Sequence, residues 1–260
     1  MEKLRLGGMA LQNGVLVHGP RTWGAAVRLP DGTIKAASGP KPRLAIGGSI
    51  PLVRGPLRLA EAFAVLPAMK RGLPEARLPF ERPVVGVALI AASTGATLAR
   101  RSSLPVVPRE AAVVIASLVP ALIALRGEEL TSYHGAEHVS IGTYEHGEAR
   151  PKEHERCGSH LIGPMLLTTA AGNVAAERVP AGLRPVARAA AAIGALTAST
   201  EIFGWMTRHP AHPVSRALAL PGHELQHRLG TREPTPAQLE VAEAALRACL
   251  ELEEPNDHDA

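Results

Sequence analysis

Aromatic residues are scarce in this sequence: two Trp, two Tyr and three Phe make up 3% of its 260 residues. So few rings exclude a stacking platform for single-stranded nucleic acid. Runs of Lys and Arg are missing as well; Lys70-Arg71 and Arg100-Arg101 are only pairs, and no nucleic-acid partner is expected. Two cysteines far apart, Cys157 and Cys249, make no disulfide framework and suit a reducing compartment. No apolar run follows Met1-Glu2-Lys3-Leu4, so no secretory signal is expected there. With 46% hydrophobic and 20% charged residues, disorder is excluded.

The charge that is present is uneven. The net charge is +4, and residues 1–82 hold 13 Lys/Arg against 5 Asp/Glu. The end of the chain is acidic, with Glu251, Glu253, Glu254, Asp257 and Asp259. A basic half fits a solvated face or an anionic membrane surface.

Three territories follow one another. Residues 5–37 read as short strands, with a turn at Asn13-Gly14 and another at Pro30-Asp31-Gly32-Thr33, where Pro presets φ and Gly takes positive φ. Arg58 to Lys70 has helical apolar spacing. Residues 83–207 then contain four nearly uncharged stretches: Pro83–Ala99, Ala111–Leu125, Gly158–Ala176, and Ala189–Thr200, which continues past Glu201. A span needs about 20 apolar residues. These stretches are short and rich in small residues, which suit either close packing in a membrane or an Ala-rich soluble bundle. Four spans would put both termini and the basic N-terminal part in the cytoplasm, although Arg100, Arg101, Arg109, Arg178 and Arg184 would then lie outside. In residues 208–260, Thr235-Pro236-Ala237-Gln238 opens an amphipathic helix whose apolar face includes Cys249, a core residue by its place.

The chemistry concentrates at Tyr133-His134-Gly135-Ala136-Glu137-His138. His134 and His138 at i and i+4 share a helix face and can reach one cation, while Glu137 stands where a base for metal-activated water is found in H-x-x-E-H peptidases. The bland alternative is two His on a solvated helix face, and Gly135 weakens the helix. His154 and Cys157 add further zinc-type ligands. Glu201, a carboxylate in an apolar stretch, needs either a metal or an Arg partner. A thiolate nucleophile at Cys157, next to Arg156, is a further option.

Together these residues resemble a bacterial family of unknown function, the DUF1385 or YqhQ-like proteins. The likeness rests on Gly7-Gly8-Met9-Ala10, Pro30-Asp31-Gly32, Arg54-Gly55, Tyr133-His134-Gly135-Ala136-Glu137-His138, Tyr144-Glu145, Arg156-Cys157-Gly158, Leu225-Gln226, Arg232-Glu233-Pro234 and Gln238-Leu239-Glu240-Val241-Ala242. Ser159-His160, His223 and His227 depart from the pattern. The resemblance implies a multi-pass membrane protein with metal-dependent chemistry, and it points to His134, Glu137, His138, His154, Cys157 and Glu201.

The resulting expectation is a mainly α protein: a helical membrane bundle of about four short spans, with a small N-terminal β element and a C-terminal amphipathic helix. Its parts would be a cytoplasmic β/α segment (1–80), a membrane helical region (81–207) with the H-x-x-E-H segment (126–158) between spans two and three, and a cytoplasmic helical segment (208–260). It would lie in the bacterial inner membrane with cytoplasmic termini. The metal, a divalent ion and by ligand type zinc, would be held by His134 and His138, completed by His154, Cys157 or Glu201, with Glu137 catalytic. The substrate of such a hydrolase would be a membrane peptide or a lipid-linked molecule. The rival reading is a membrane scaffold or biogenesis factor with a structural metal site, or with no metal. Four protein ligands would close the site and three would leave it open to water.

Overall fold

A computed structural model describes residues 3–43 and 50–253. The acidic end beyond Glu253 and the start at Met1-Glu2 lie outside the described residues. The chain is mainly helical and begins with a four-stranded antiparallel meander: β1 (Gly7–Leu11), β2 (Gly14–His18), β3 (Thr22–Arg28) and β4 (Ile34–Pro40), in that spatial order. Gln12 and Asn13 connect β1 to β2, with Leu11 opposite Gly14. Gly14 therefore starts a strand, and its role is close approach: a Cβ there would stand 2.0 Å from the Ala26 carbonyl oxygen. Asn13 instead ties the turn to the chain beyond the first helix, accepting from Arg77 N–H and donating to the Glu75 carbonyl. The second turn follows its sequence pattern, with Gly32 at φ 88° and Asp31 accepting from Thr33 N–H.

Side chains alternate across the sheet because the strand period is two. Leu11, Leu16, Ala25 and Val27 face helix α1 (Arg54–Gly72), where Val65, Met69 and Leu73 complete one core. Val15, Val17 and Ala26 face the other way, against helices α4 (Glu128–His146) and α8 (Pro236–Glu253). Cys249 on α8 is fully buried there, as its helical register predicts. A buried carboxylate holds the end of α8 to the sheet: Glu253 accepts from the backbone N–H groups of Arg21 and Thr22 and from Arg21 Nε.

The rest is two helical hairpins. Helix α2 (Pro83–Arg101) packs on α3 (Val106–Ala124), and α5 (Ile162–Glu177) packs on α6 (Arg184–Arg208). Their outer faces expose large apolar side chains, among them Val87, Ile90, Leu98, Ile115, Val186 and Ile193. The segments Pro83–Arg101 and Ala181–Arg208 are long and apolar enough to cross a membrane. A third crossing needs α3 and α4 to act together across an 89° bend. We read α4 as outside any span, because it is buried between the sheet and α8. Helix α5, at 16 residues, reaches about 24 Å, less than the ~30 Å apolar layer. By length and composition alone, the segments that can cross a membrane number two, or three if α3 and α4 act as one. Helix α7 (Pro213–Leu225) and a π turn (Gln226–Gly230) lead from α6 to α8.

Candidate metal centre

Helix α4 carries His134, Glu137 and His138 on one face, and Ile141, one turn further on, lines the same cavity. The helix survives Gly135 because that glycine admits another segment: a Cβ would stand 2.0 Å from the carbonyl oxygen of Arg232. The same strip of chain donates from Arg232 N–H to the Thr131 carbonyl. Just before it, the Gly230 carbonyl accepts from His134 Nδ1 at 2.7 Å. The Lys152 carbonyl accepts from His138 Nδ1 at 2.6 Å. Each imidazole thus has Nδ1 occupied and Nε2 left with its lone pair, the tautomer that a metal ligand needs, and backbone carbonyls are customary partners for the far nitrogen of such ligands.

The loop after α4 returns Cys157 to the helix. Its Sγ lies 3.6 Å from His134 Nε2. One ligand atom each from His134, His138 and Cys157 lies within 4.8 Å of the other two. Burial and the neighbouring His134 hold the His138 pKa below its usual value, so this imidazole is neutral and able to coordinate. Two imidazoles and a thiol are a borderline-to-soft donor set of the kind that zinc prefers.

His154 and Glu201 do not join this trio. The His154 ring is close, 5.5 Å from that of His138 between centroids. Its Nδ1 accepts from Arg156 N–H, and its Nε2, 3.5 Å from Glu145 Oε2, has no hydrogen-bond partner among the described residues. Glu201 sits on α6, where Arg54 of α1 grips its carboxylate and Leu52 N–H donates to it. The Arg-partner reading of Glu201 is the one that the contacts follow.

Glu137 is 6% exposed and has no hydrogen bond among the described residues. Burial raises its pKa, while His134 and His154 pull in the opposite direction. Its carboxylate rests on Gly8 of β1, where a Cβ would come within 2.5 Å of Oε1. His134, Glu137, His138 and Cys157 all line one cavity of about 360 Å³, walled also by Leu6 to Ala10 and by Ala124-Leu125 at the root of the α2–α3 hairpin. His18 lines it too; burial and then Lys41 lower its pKa to about 4, so it is neutral.

A supporting layer holds this geometry. Glu145 accepts from Leu6 N–H and from Arg156. Burial alone would raise its pKa, but His154, the Leu6 N–H and Arg156 together hold it below the usual carboxylate range. Gln226, 1% exposed, accepts from His154 N–H and donates to Ser159 Oγ, pinning the loop that carries Cys157. Neither Glu145 nor Gln226 was singled out by the metal-ligand spacing. The signal for both was membership of the shared strings Tyr144-Glu145 and Leu225-Gln226.

No curated protein and no solved structure matches this chain significantly. Residues 121–252, just over half of the chain, match the family described as protein of unknown function (DUF1385), and the matched stretch contains the whole trio together with Glu145 and Gln226. The chain belongs to the DUF1385 family.

Proposed function

We propose that this protein is a metal-dependent hydrolase of the bacterial inner membrane, acting on a membrane peptide or a lipid-linked molecule. The observation that carries the proposal is the convergence of His134, His138 and Cys157, with a buried carboxylate, Glu137, that has no hydrogen bond among the described residues and lines the same cavity. Three protein ligands leave a coordination position open, whereas a structural zinc site has four. A divalent ion held there, zinc by its donor set, would supply Lewis acidity and lower the pKa of water to about 7. His134 and His138 would hold it through Nε2, oriented by the Gly230 and Lys152 carbonyls. Glu137, raised in pKa by burial, is suited to take a proton from water on a carboxylate oxygen and to return it to a leaving group. One side of the cavity is apolar, with Leu6, Met9 and Leu130.

The membrane part of the proposal takes α2, α3, α5 and α6 as four short spans, with the sheet, α1, α4 and α8 on the cytoplasmic side. It is supported by the exposed apolar faces of the two hairpins and by the basic N-terminal part. The contact of the cavity with Ala124-Leu125 would put the site at the bilayer edge.

The test is elemental analysis of the full chain purified in mild detergent. About one zinc per chain is expected, lost in the double variant His134→Ala with His138→Ala. Glu137→Gln is expected to keep the metal and lose hydrolysis of membrane substrates. Absence of stoichiometric metal from the wild-type protein would overturn the proposal.

A further inference from the structure

A second cavity, about 610 Å³, opens on the other side of the loop that carries Cys157. It shares His154 and Arg156 with the first, so only that loop separates the two. Its charge is lopsided. Arg5, Arg150, Arg156 and Arg216 line it, against Glu153 and Glu155. Glu153 is already engaged, 2.8 Å from Lys152 Nζ and 2.9 Å from His227 Nδ1. Glu155 lies 3.7 Å from His146. Arg156 and Arg150 contact Glu145 and Glu148, whereas the Arg216 guanidinium has no ion pair or hydrogen bond among the described residues. At the first turn of α7, Ser215 also lines the cavity; it is 2% exposed, and its Oγ has no hydrogen-bond partner among the described residues. A buried hydroxyl without a partner is uncommon, because an unmade hydrogen bond costs about 1–3 kcal/mol.

The opposite wall is apolar. Phe203 and Met206 come from the last turns of α6, whose segment is long and apolar enough to cross a membrane. Leu220 of α7 lines the cavity and is 56% exposed. Guanidinium groups facing an apolar wall at the end of such a helix have the chemistry of a lipid-phosphate site: the fork of Arg matches phosphate oxygens, and the wall takes the first methylenes of the chains.

We propose that this second cavity binds the phosphate headgroup of a membrane lipid, held by Arg150, Arg156, Arg216 and Ser215 with its acyl chains against Phe203, Met206 and Leu220. A free phosphate ion would use the guanidinium groups and leave the apolar wall idle. The shared loop would set a headgroup bound here beside the His134, His138 and Cys157 trio. In that respect the inference rests on the hydrolase reading and narrows its substrate from membrane molecules in general to lipid phosphates; the binding itself does not require the metal.

The experiment uses the full chain in dodecylmaltoside micelles doped with dioleoyl phosphatidic acid, dioleoylglycerol or neither, with inorganic phosphate as a separate titrant. Binding is read by native mass spectrometry and by the shift in thermal midpoint. Phosphatidic acid is expected to bind and dioleoylglycerol to bind at least about tenfold more weakly, since each loses or keeps the charge-assisted bonds. Arg216→Gln is expected to weaken phosphatidic acid about tenfold with an unchanged midpoint in the undoped micelle, because this exposed side chain holds nothing else. Arg150→Gln is a second variant with the same expectation for binding. Equal affinity for inorganic phosphate, equal retention of dioleoylglycerol, or wild-type affinity in both Arg variants would each overturn the inference. The double variant His134→Ala with His138→Ala separates the two readings: it should lose metal and still bind phosphatidic acid, whereas Arg216→Gln should keep metal.

Discussion

Replacing Gly135 by Ala sets two effects of opposite sign against each other. Glycine inside a helix costs about 1 kcal/mol relative to alanine, so propensity alone makes Gly135→Ala stabilising. The tertiary structure says otherwise. The new methyl group would stand 2.0 Å from the Arg232 carbonyl oxygen and 3.2 Å from its carbon. That is short of van der Waals separation by more than about 1 Å, and the obstacle is backbone, which does not swing aside as a side chain would. Overpacking of this kind costs about 1–3 kcal/mol, and relief requires residues 231–234 to move away from α4. That movement breaks the Arg232 N–H bond to the Thr131 carbonyl and draws Gly230 from His134 Nδ1. The net expectation is destabilisation by about 2 kcal/mol, a drop in thermal midpoint of about 5 °C for a chain of this size. Metal content should fall as well, because His134 loses the carbonyl that sets its tautomer. Thermal unfolding in detergent and elemental analysis of the same preparation read both. A variant as stable as the wild type, with its metal unchanged, would refute the close-approach account of Gly135.

Other consequences follow from particular contacts. Glu253→Gln places an amide NH2 among the N–H donors of Arg21 and Thr22 in a buried pocket, and should lower stability by about 2–3 kcal/mol, checked by denaturant unfolding. Glu201→Gln should leave the metal stoichiometry unchanged, since Arg54 and Leu52 occupy that carboxylate; loss of metal would show that Glu201 is a ligand after all. The pKa of Glu153, which burial would raise, is brought down to about 2 by Lys152 and His227. A depressed folded-state pKa contributes stability above about 4.5 and loses it as the pH falls toward 2. Glu153→Gln should therefore flatten the acid limb of a stability-versus-pH curve in that window; an unchanged limb would rule Glu153 out as a contributor. Solvent screening keeps the effect small at this partly exposed site.

Much of this could be read along the chain because it depends on local chemistry. The Pro30-Asp31-Gly32 turn, the Thr235-Pro236 helix start with Gln238 Oε1 accepting from Thr235 N–H, and the burial of Cys249 on one face of α8 all follow from spacing and capping over a few residues. The i, i+4 pair His134 and His138 was legible for the same reason, since helix periodicity alone puts both on one side. Cys157 was a candidate by residue type, but so were His154 and Glu201, and spacing could not rank them. What separates them is contacts that cross the chain: Arg54, 147 residues away, takes Glu201, His154 lies outside the cluster of ligand atoms, and the Lys152 and Gly230 carbonyls turn two imidazoles toward one thiol. The same holds for Gly135 and Gly14, whose local sequence suggests a weak helix and a turn, but whose missing side chains make room for another stretch of backbone. Periodicity along the chain specifies which face a residue occupies; what meets that face depends on how distant segments pack, and the His134, His138 and Cys157 cluster, its orienting carbonyls and both cavities are products of that packing.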